Sequence, residues 1–253
     1  MFNPFLLMLV SSVAWAFYPL GMKLAAEAGD VPLAITMITG FAGILSGTLL
    51  VAFSYFRKSG QGGLPGIRAA GQAFAEKGTW QFIAIGGVVT CLQYIFQLRA
   101  FSLAGIADVS ATLVLEVWPV FGAMVMTVLA APGLRYLDKK NYGLTWRQAP
   151  YIGFSLLGYG ALVLAHFQGS GEFETMLHMP EWFWYATLGM LMQSLSAGIW
   201  LVVFTQIQKT LNLQGRDLLI ASSAVEFIQR VGIMAVLGVI FWTGWLEFRG
   251  MDG

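Results

Sequence analysis

Seven stretches of almost unbroken apolar residues, 2–24, 31–56, 80–101, 107–129, 151–167, 182–204 and 218–242, are separated by short polar breaks. Crossing about 30 Å of hydrocarbon takes roughly 20 helical residues, and each stretch is of that order. Only helices and closed barrels satisfy every backbone N–H and C=O without water. Barrel strands run for about ten residues with alternating faces, whereas these stretches neither alternate nor stop so soon. The pattern predicts an all-α polytopic membrane protein with seven transmembrane helices.

The breaks alternate in charge. The break after the second stretch carries Arg57, Lys58, Arg68 and Lys77 against Glu76, and the break after the fourth carries Arg135, Lys139, Lys140 and Arg147 against Asp138. Lys209 and Arg216 follow the sixth. The intervening breaks hold Glu27 and Asp30, then Arg99 offset by Asp108, then Glu172, Glu174 and Glu181 with no basic residue. Short loops rich in Lys and Arg stay on the cytoplasmic side, so the N-terminus is expected in the cytoplasm and Gly253 outside.

Composition removes several function classes. The net charge of +1 is partitioned by membrane side rather than gathered on one surface, so no nucleic-acid partner is implied. Cys91 is the single cysteine, which rules out a disulfide within the chain and a multi-cysteine metal site. His166 and His178 lack metal-ligand spacing. Neither a metal nor another cofactor is expected. The first apolar run ends at Ala26-Glu27-Ala28, which imitates a signal-peptide cleavage site, but the run is long and Lys23 follows rather than precedes it. It is therefore read as a retained helix.

A faint internal repeat appears when the first two stretches are laid on the sixth and seventh: Lys23 falls on Lys209 and Val31 on Asp217. The first helix runs outward and the sixth inward, so five helices per unit would make the second unit an inverted copy, a plan of many transporters with a midplane substrate site. Residues 1–168 would then form a first five-helix repeat and 169–253 two helices of a second. On that plan three helices, about 80 to 100 residues, are expected beyond Gly253.

Glu116 lies two residues from the centre of the fourth stretch, beside Trp118. A carboxylate at that depth is costly, and such groups face a bundle interior or wet cavity and mark substrate, ion or proton paths; the alternative is a structural carboxylate tied to a hydroxyl or Arg. Pro119 removes one helix hydrogen bond and predicts a kink beside it. Glu226 and Arg230 stand four apart in the seventh stretch, in the favourable order for a helical ion pair. They either neutralise each other or leave Arg230 available to Glu116 or an anionic substrate.

Polar and aromatic faces surround these charges. Thr90, Gln93 and Gln97 share one face of the third helix, Gln193, Ser196 and Trp200 one face of the sixth, and Ser11, Trp15, Tyr18 and Met22 one face of the first. Trp15, Tyr18, Gln93, Gln97, Trp118, Gln193 and Trp200 are thus candidates to line a substrate or proton site with Glu116, Glu226 and Arg230. Interhelical hydrogen bonding, worth about 0.6 kcal/mol per bond in membranes, is the alternative use of each polar residue.

The stretch from Ala107 to Phe121, with Glu116 shortly before Pro119-Val120-Phe121, resembles the fourth helix of the drug/metabolite transporter superfamily, in particular its EamA-type repeat. Residues 146–160, with Gly153, Gly158 and Gly160, are similar to its glycine-rich fifth helix. The family's Gly-Glu pair after the fourth helix is replaced here by Ala131-Pro132-Gly133-Leu134-Arg135. The resemblance implies ten helices in two inverted repeats, of which this chain covers seven, and export of small organic metabolites or drugs across an inner (plasma) membrane, driven by protons or by exchange of a metabolite. Its partners would be lipid, the solute, the coupling proton or exchanged metabolite, and a second copy if it oligomerises.

Other classes fit less well. A retinal pigment needs a Schiff-base lysine in its last helix, where this chain has Arg230, and an inside N-terminus has the wrong sense for a seven-helix receptor. An intramembrane enzyme finds no His-Glu-x-x-His, Gly-x-Ser-x-Gly or intrahelical Asp pair. A structural or assembly subunit would need a partner helix to make use of its buried charges.

Overall fold

The computed structural model describes residues 64–104, 110–115, 117–129, 146–169 and 180–242. The first two apolar stretches, Trp15, Tyr18 and Glu116 lie outside the described residues. Among those described, all regular structure is helical: α1 Leu64–Ala75, α2 Lys77–Ala104, α3 Ser110–Leu115, α4 Trp118–Leu129, α5 Ala149–Gly169, α6 Glu181–Thr210 and α7 Gly215–Trp242.

Among the described residues, three segments are long and apolar enough to cross a membrane: Gly78–Phe101 in α2, Glu181–Thr210 in α6 and Ile220–Val239 in α7. Apolar side chains occupy outer as well as inner faces, with Val88, Phe154, Leu157 and Val239 each more than half exposed. Helices apolar all round suit lipid rather than water, and these fit an integral membrane protein. They correspond to the third, sixth and seventh stretches. The fourth stretch is interrupted between Leu115 and Trp118, where Val117 N–H donates to the Val114 carbonyl (3.4 Å) and Val120 N–H to the Val117 carbonyl (3.1 Å), three residues back in each case. Pro119 therefore sits in the first turn of α4, where its missing donor costs least.

α6 is the central strut, packing most extensively on α2 and also on α3 and α4. Its limits follow from the chain's chemistry. Pro180 precedes it, Glu181 lies in the first turn and Lys209 in the last, each charge opposing the helix dipole. Leu211 N–H closes the final turn on the Ile207 carbonyl at 3.1 Å, and Asn212 then reverses the chain with φ 50°, a conformation Asn tolerates better than most.

Cross-helix pairs give the directions. Gln97 meets Gln193, Thr90 meets Ser196 and Glu76 meets Gln206, so α2 and α6 are antiparallel. Ile83 packs with Leu218 and Val225, and Tyr94 further along packs with Ile233 and Leu237, so α7 runs parallel to α2. Leu115 lies near Gly189 and Gly122 near Ser194, so the α3–α4 segment runs parallel to α6.

One helix was absent from the hydrophobic pattern. α1 occupies the basic break after the second stretch and packs on α7, with Ala73 buried while Arg68, Gly71 and Gln72 stay exposed. At its end Glu76 ties three elements together. Its carboxylate accepts from the Thr79 hydroxyl (3.0 Å), the Thr210 hydroxyl (3.3 Å) and the Gln206 amide (3.5 Å).

Candidate functional site

Two apolar clusters cap the α2–α6 pair. One, at the α2 C-terminal end, contains Leu98, Phe101, Val114, Leu115, Trp182 and Met190. The other, at the α2 N-terminal end, contains Ala73, Ile83, Val203, Ile207, Leu218 and Val225. Between them lies a polar layer, at about half the length of both helices. The Gln97 amide donates to the Gln193 side-chain oxygen at 2.7 Å. The Thr90 and Ser196 hydroxyls are 2.7 Å apart, and Thr90 also bonds the Gly86 carbonyl at 2.7 Å. Gln93 is buried on the same face of α2.

Glycine permits this approach. A Cβ on Gly189 would lie 3.1 Å from Gln97 Cγ, 3.1 Å from Leu115 Cδ2 and 3.3 Å from the Gln97 backbone nitrogen. One on Gly86 would meet Ile199 Cγ2 and Gln229 Nε2, both at 3.1 Å. Small residues bring helix backbones close enough for short side chains to bond across. The Ser194 hydroxyl extends the layer to α4, lying 2.9 Å from the Trp118 carbonyl and 2.8 Å from that of Met190.

The α2–α7 side has different chemistry. Glu226 and Arg230 form the ion pair expected from their spacing, with Oε1 and Nη2 3.0 Å apart. Arg230 Nη1 donates to the Tyr94 hydroxyl, so the guanidinium is anchored on α2 as well. Gln229 Nε2 donates to the Ile83 carbonyl at 2.7 Å. Arg230 stands at the centre of the Ile220–Val239 span and meets α2 at Tyr94, within a turn of Gln97.

Of the residues singled out from the sequence, Gln97 and Gln193 thus bond, with Gln93 buried on the same face of α2, and Glu226 and Arg230 form a second group where α7 packs on a neighbouring face of α2. Trp118 is half-buried against the cluster of Leu115 and Met190, and Trp200 packs on the opposite cluster, one turn beyond the layer. Both tryptophans thus pack on the apolar caps. Arg99, close to the C-terminal end of α2, reaches Glu181 across the α2–α6 pair at 3.7 Å. Tyr94, Ser194 and Gln229 were missed by sequence reasoning. Tyr94 and Gln229 carried a signal, since each directly adjoins a residue singled out, Gln93 and Arg230.

Among the described residues no group of three His, Cys, Asp or Glu side chains gathers as metal ligands would. Comparison with protein-family models, curated proteins and solved structures finds no match to this chain.

Proposed function

We propose that the protein is a secondary transporter that moves small organic solutes across an inner (plasma) membrane, as an exporter coupled to protons or to exchange, on the plan of the drug/metabolite transporter superfamily. The observation that carries this reading is the placement of hydrogen-bonding and charged side chains at mid-depth, on neighbouring faces of α2, within helices otherwise apolar. Such groups are costly in a bilayer and concentrate where solutes or protons pass. Opposed helix directions, with charged residues toward the ends of α6, are what a multi-pass bundle with alternating loops requires.

Glu116 carries the proton or substrate role in this reading, with Trp15 and Tyr18 lining the path. A structural or assembly role is the second reading, and the mutual satisfaction of Gln97 with Gln193 and of Thr90 with Ser196 favours it for those four residues.

Glu116→Gln separates the two. In proteoliposomes preloaded with a mixed panel of labelled amino acids, organic acids and a cationic dye, the wild-type chain is expected to release at least one solute faster than empty vesicles. Glu116→Gln should insert normally and lose that flux. Normal flux in the variant excludes the assigned role of Glu116, and failed assembly supports the structural reading.

A further inference from the structure

The Tyr94–Arg230–Glu226 group is built asymmetrically. Tyr94, which fixes Arg230 from α2, is 7% exposed and carries no charge when neutral. Glu226, which supplies the negative charge, is the more exposed member, at 43% of its side chain against 26% for Arg230. Its contact is one oxygen on one guanidinium nitrogen. A guanidinium presents five donors in a planar fork suited to two-point recognition of a carboxylate. Arg230 is therefore held in place by a neutral group and balanced by a single-contact partner.

Depth sharpens the point. A carboxylate nearly half exposed close to the centre of the Ile220–Val239 span cannot be solvated by hydrocarbon. The face that bears it therefore meets water, a polar ligand or a polar group of another helix. Beside the guanidinium, Tyr94, Ile233 and Leu237 form an apolar cluster, with Cys91 and Ile95 against it. An ionic anchor next to an apolar patch matches an organic monocarboxylate with an apolar body.

We propose that Arg230 binds the carboxylate of such an organic anion, with Glu226 as the exchangeable counterion that holds the site when it is empty. This rests on the transporter reading for its physiological meaning and names the substrate class. No covalent step is involved. The incoming carboxylate takes the place of Glu226 on Nη2 while Tyr94 keeps Nη1.

The test uses the full chain in detergent, with benzoate as probe and benzamide as its neutral isostere, at constant ionic strength. Benzoate is expected to bind and benzamide not to bind. Glu226→Gln removes the competing carboxylate and should tighten benzoate binding about fivefold, the equivalent of about 1 kcal/mol. Glu226→Gln combined with Arg230→Gln removes both charges, avoids an unpaired guanidinium or carboxylate, and should abolish binding. Equal binding of benzamide, unchanged affinity in Glu226→Gln, or retained binding in the double variant overturns the proposal. Exchange of labelled benzoate in proteoliposomes is read separately. Binding as described without exchange removes the transporter reading and leaves the anion site standing, whereas flux of other solutes with no benzoate binding overturns the anion site alone.

Discussion

The two interfaces made by α2 share a helix and a depth, yet solve the problem of polar groups in a bilayer differently. Against α6, neutral amides and hydroxyls bond one another across a close approach and are largely buried. Against α7, an ion pair is anchored by a buried tyrosine and left partly open. A polar layer that satisfies itself gains little by meeting a solute, because the solute must first displace bonds already made. A charge with a single-contact partner has something to exchange. The difference assigns cohesion to the α2–α6 side and ligand chemistry to the α2–α7 side.

The largest effect expected from breaking this division is at Gly189. Val at this position forces its Cβ into Gln97 and Leu115, and because one of the contacted atoms is backbone the neighbours have little room to yield. Gly189→Val should lower stability by about 3 kcal/mol, the upper range for overpacking. A Cβ added at Gly232 on α7 would meet nothing within 4 Å, so Gly232→Ala is the control and should change stability by less than about 1 kcal/mol. Thermal unfolding in a single detergent compares the two. Equal effects would mean that α6 is no more tightly seated than α7.

A smaller effect is expected from the glutamine pair. Gln97→Leu leaves the Gln193 amide without this partner in an apolar layer and should cost about 1–2 kcal/mol, near the upper range for membrane hydrogen bonds. Gln97→Leu with Gln193→Leu removes both and should recover most of that loss, with solute flux retained. Stable protein with abolished flux in the double variant would move these glutamines from cohesion to solute binding.

The apolar stretches made the helices legible because their length alone exceeds what a soluble helix needs, and periodicity placed Thr90, Gln93 and Gln97 on one face. Periodicity does not say which helix that face meets. Gln97 and Gln193 are 96 residues apart, and their bond depends on Gly189 admitting α2, a fact of packing that a hydropathy pattern does not contain. The same gap explains Trp200: it shares a helical face with Gln193, but two turns further along, where α2 presents an apolar cluster instead of amides. α1 escaped notice because 12 residues are too few for a span and its alanines and glycines resemble a linker. Glu226 and Arg230 were legible as a pair since i,i+4 geometry is local, whereas the role of Tyr94 depended on α7 lying parallel to α2.

The smallest effect expected is at the second charge pair, which belongs to the α2–α6 side and so tests whether charge alone distinguishes the interfaces. Arg99 and Glu181 lie 3.7 Å apart with the Glu181 side chain 62% exposed, and the Arg99 guanidinium stands 5.8 Å from the centre of the Tyr185 ring. Exposed pairs of this kind contribute about 0–1 kcal/mol and weaken as salt rises. Glu181→Gln should therefore shift stability by less than about 0.5 kcal/mol, and the shift should vanish in high salt. Arg99 has the aromatic face of Tyr185 beside it when the carboxylate is lost. Arg230 also has an aromatic neighbour, but at mid-depth the loss of Glu226 leaves its charge without a counterion, so Glu226→Gln should be more destabilising than Glu181→Gln and should respond less to salt. Unfolding both variants across a salt series makes the distinction quantitative: a common response would mean that Arg230 is as well hydrated as Arg99, and the site on α7 would lose the isolation that makes a carboxylate ligand worth binding there.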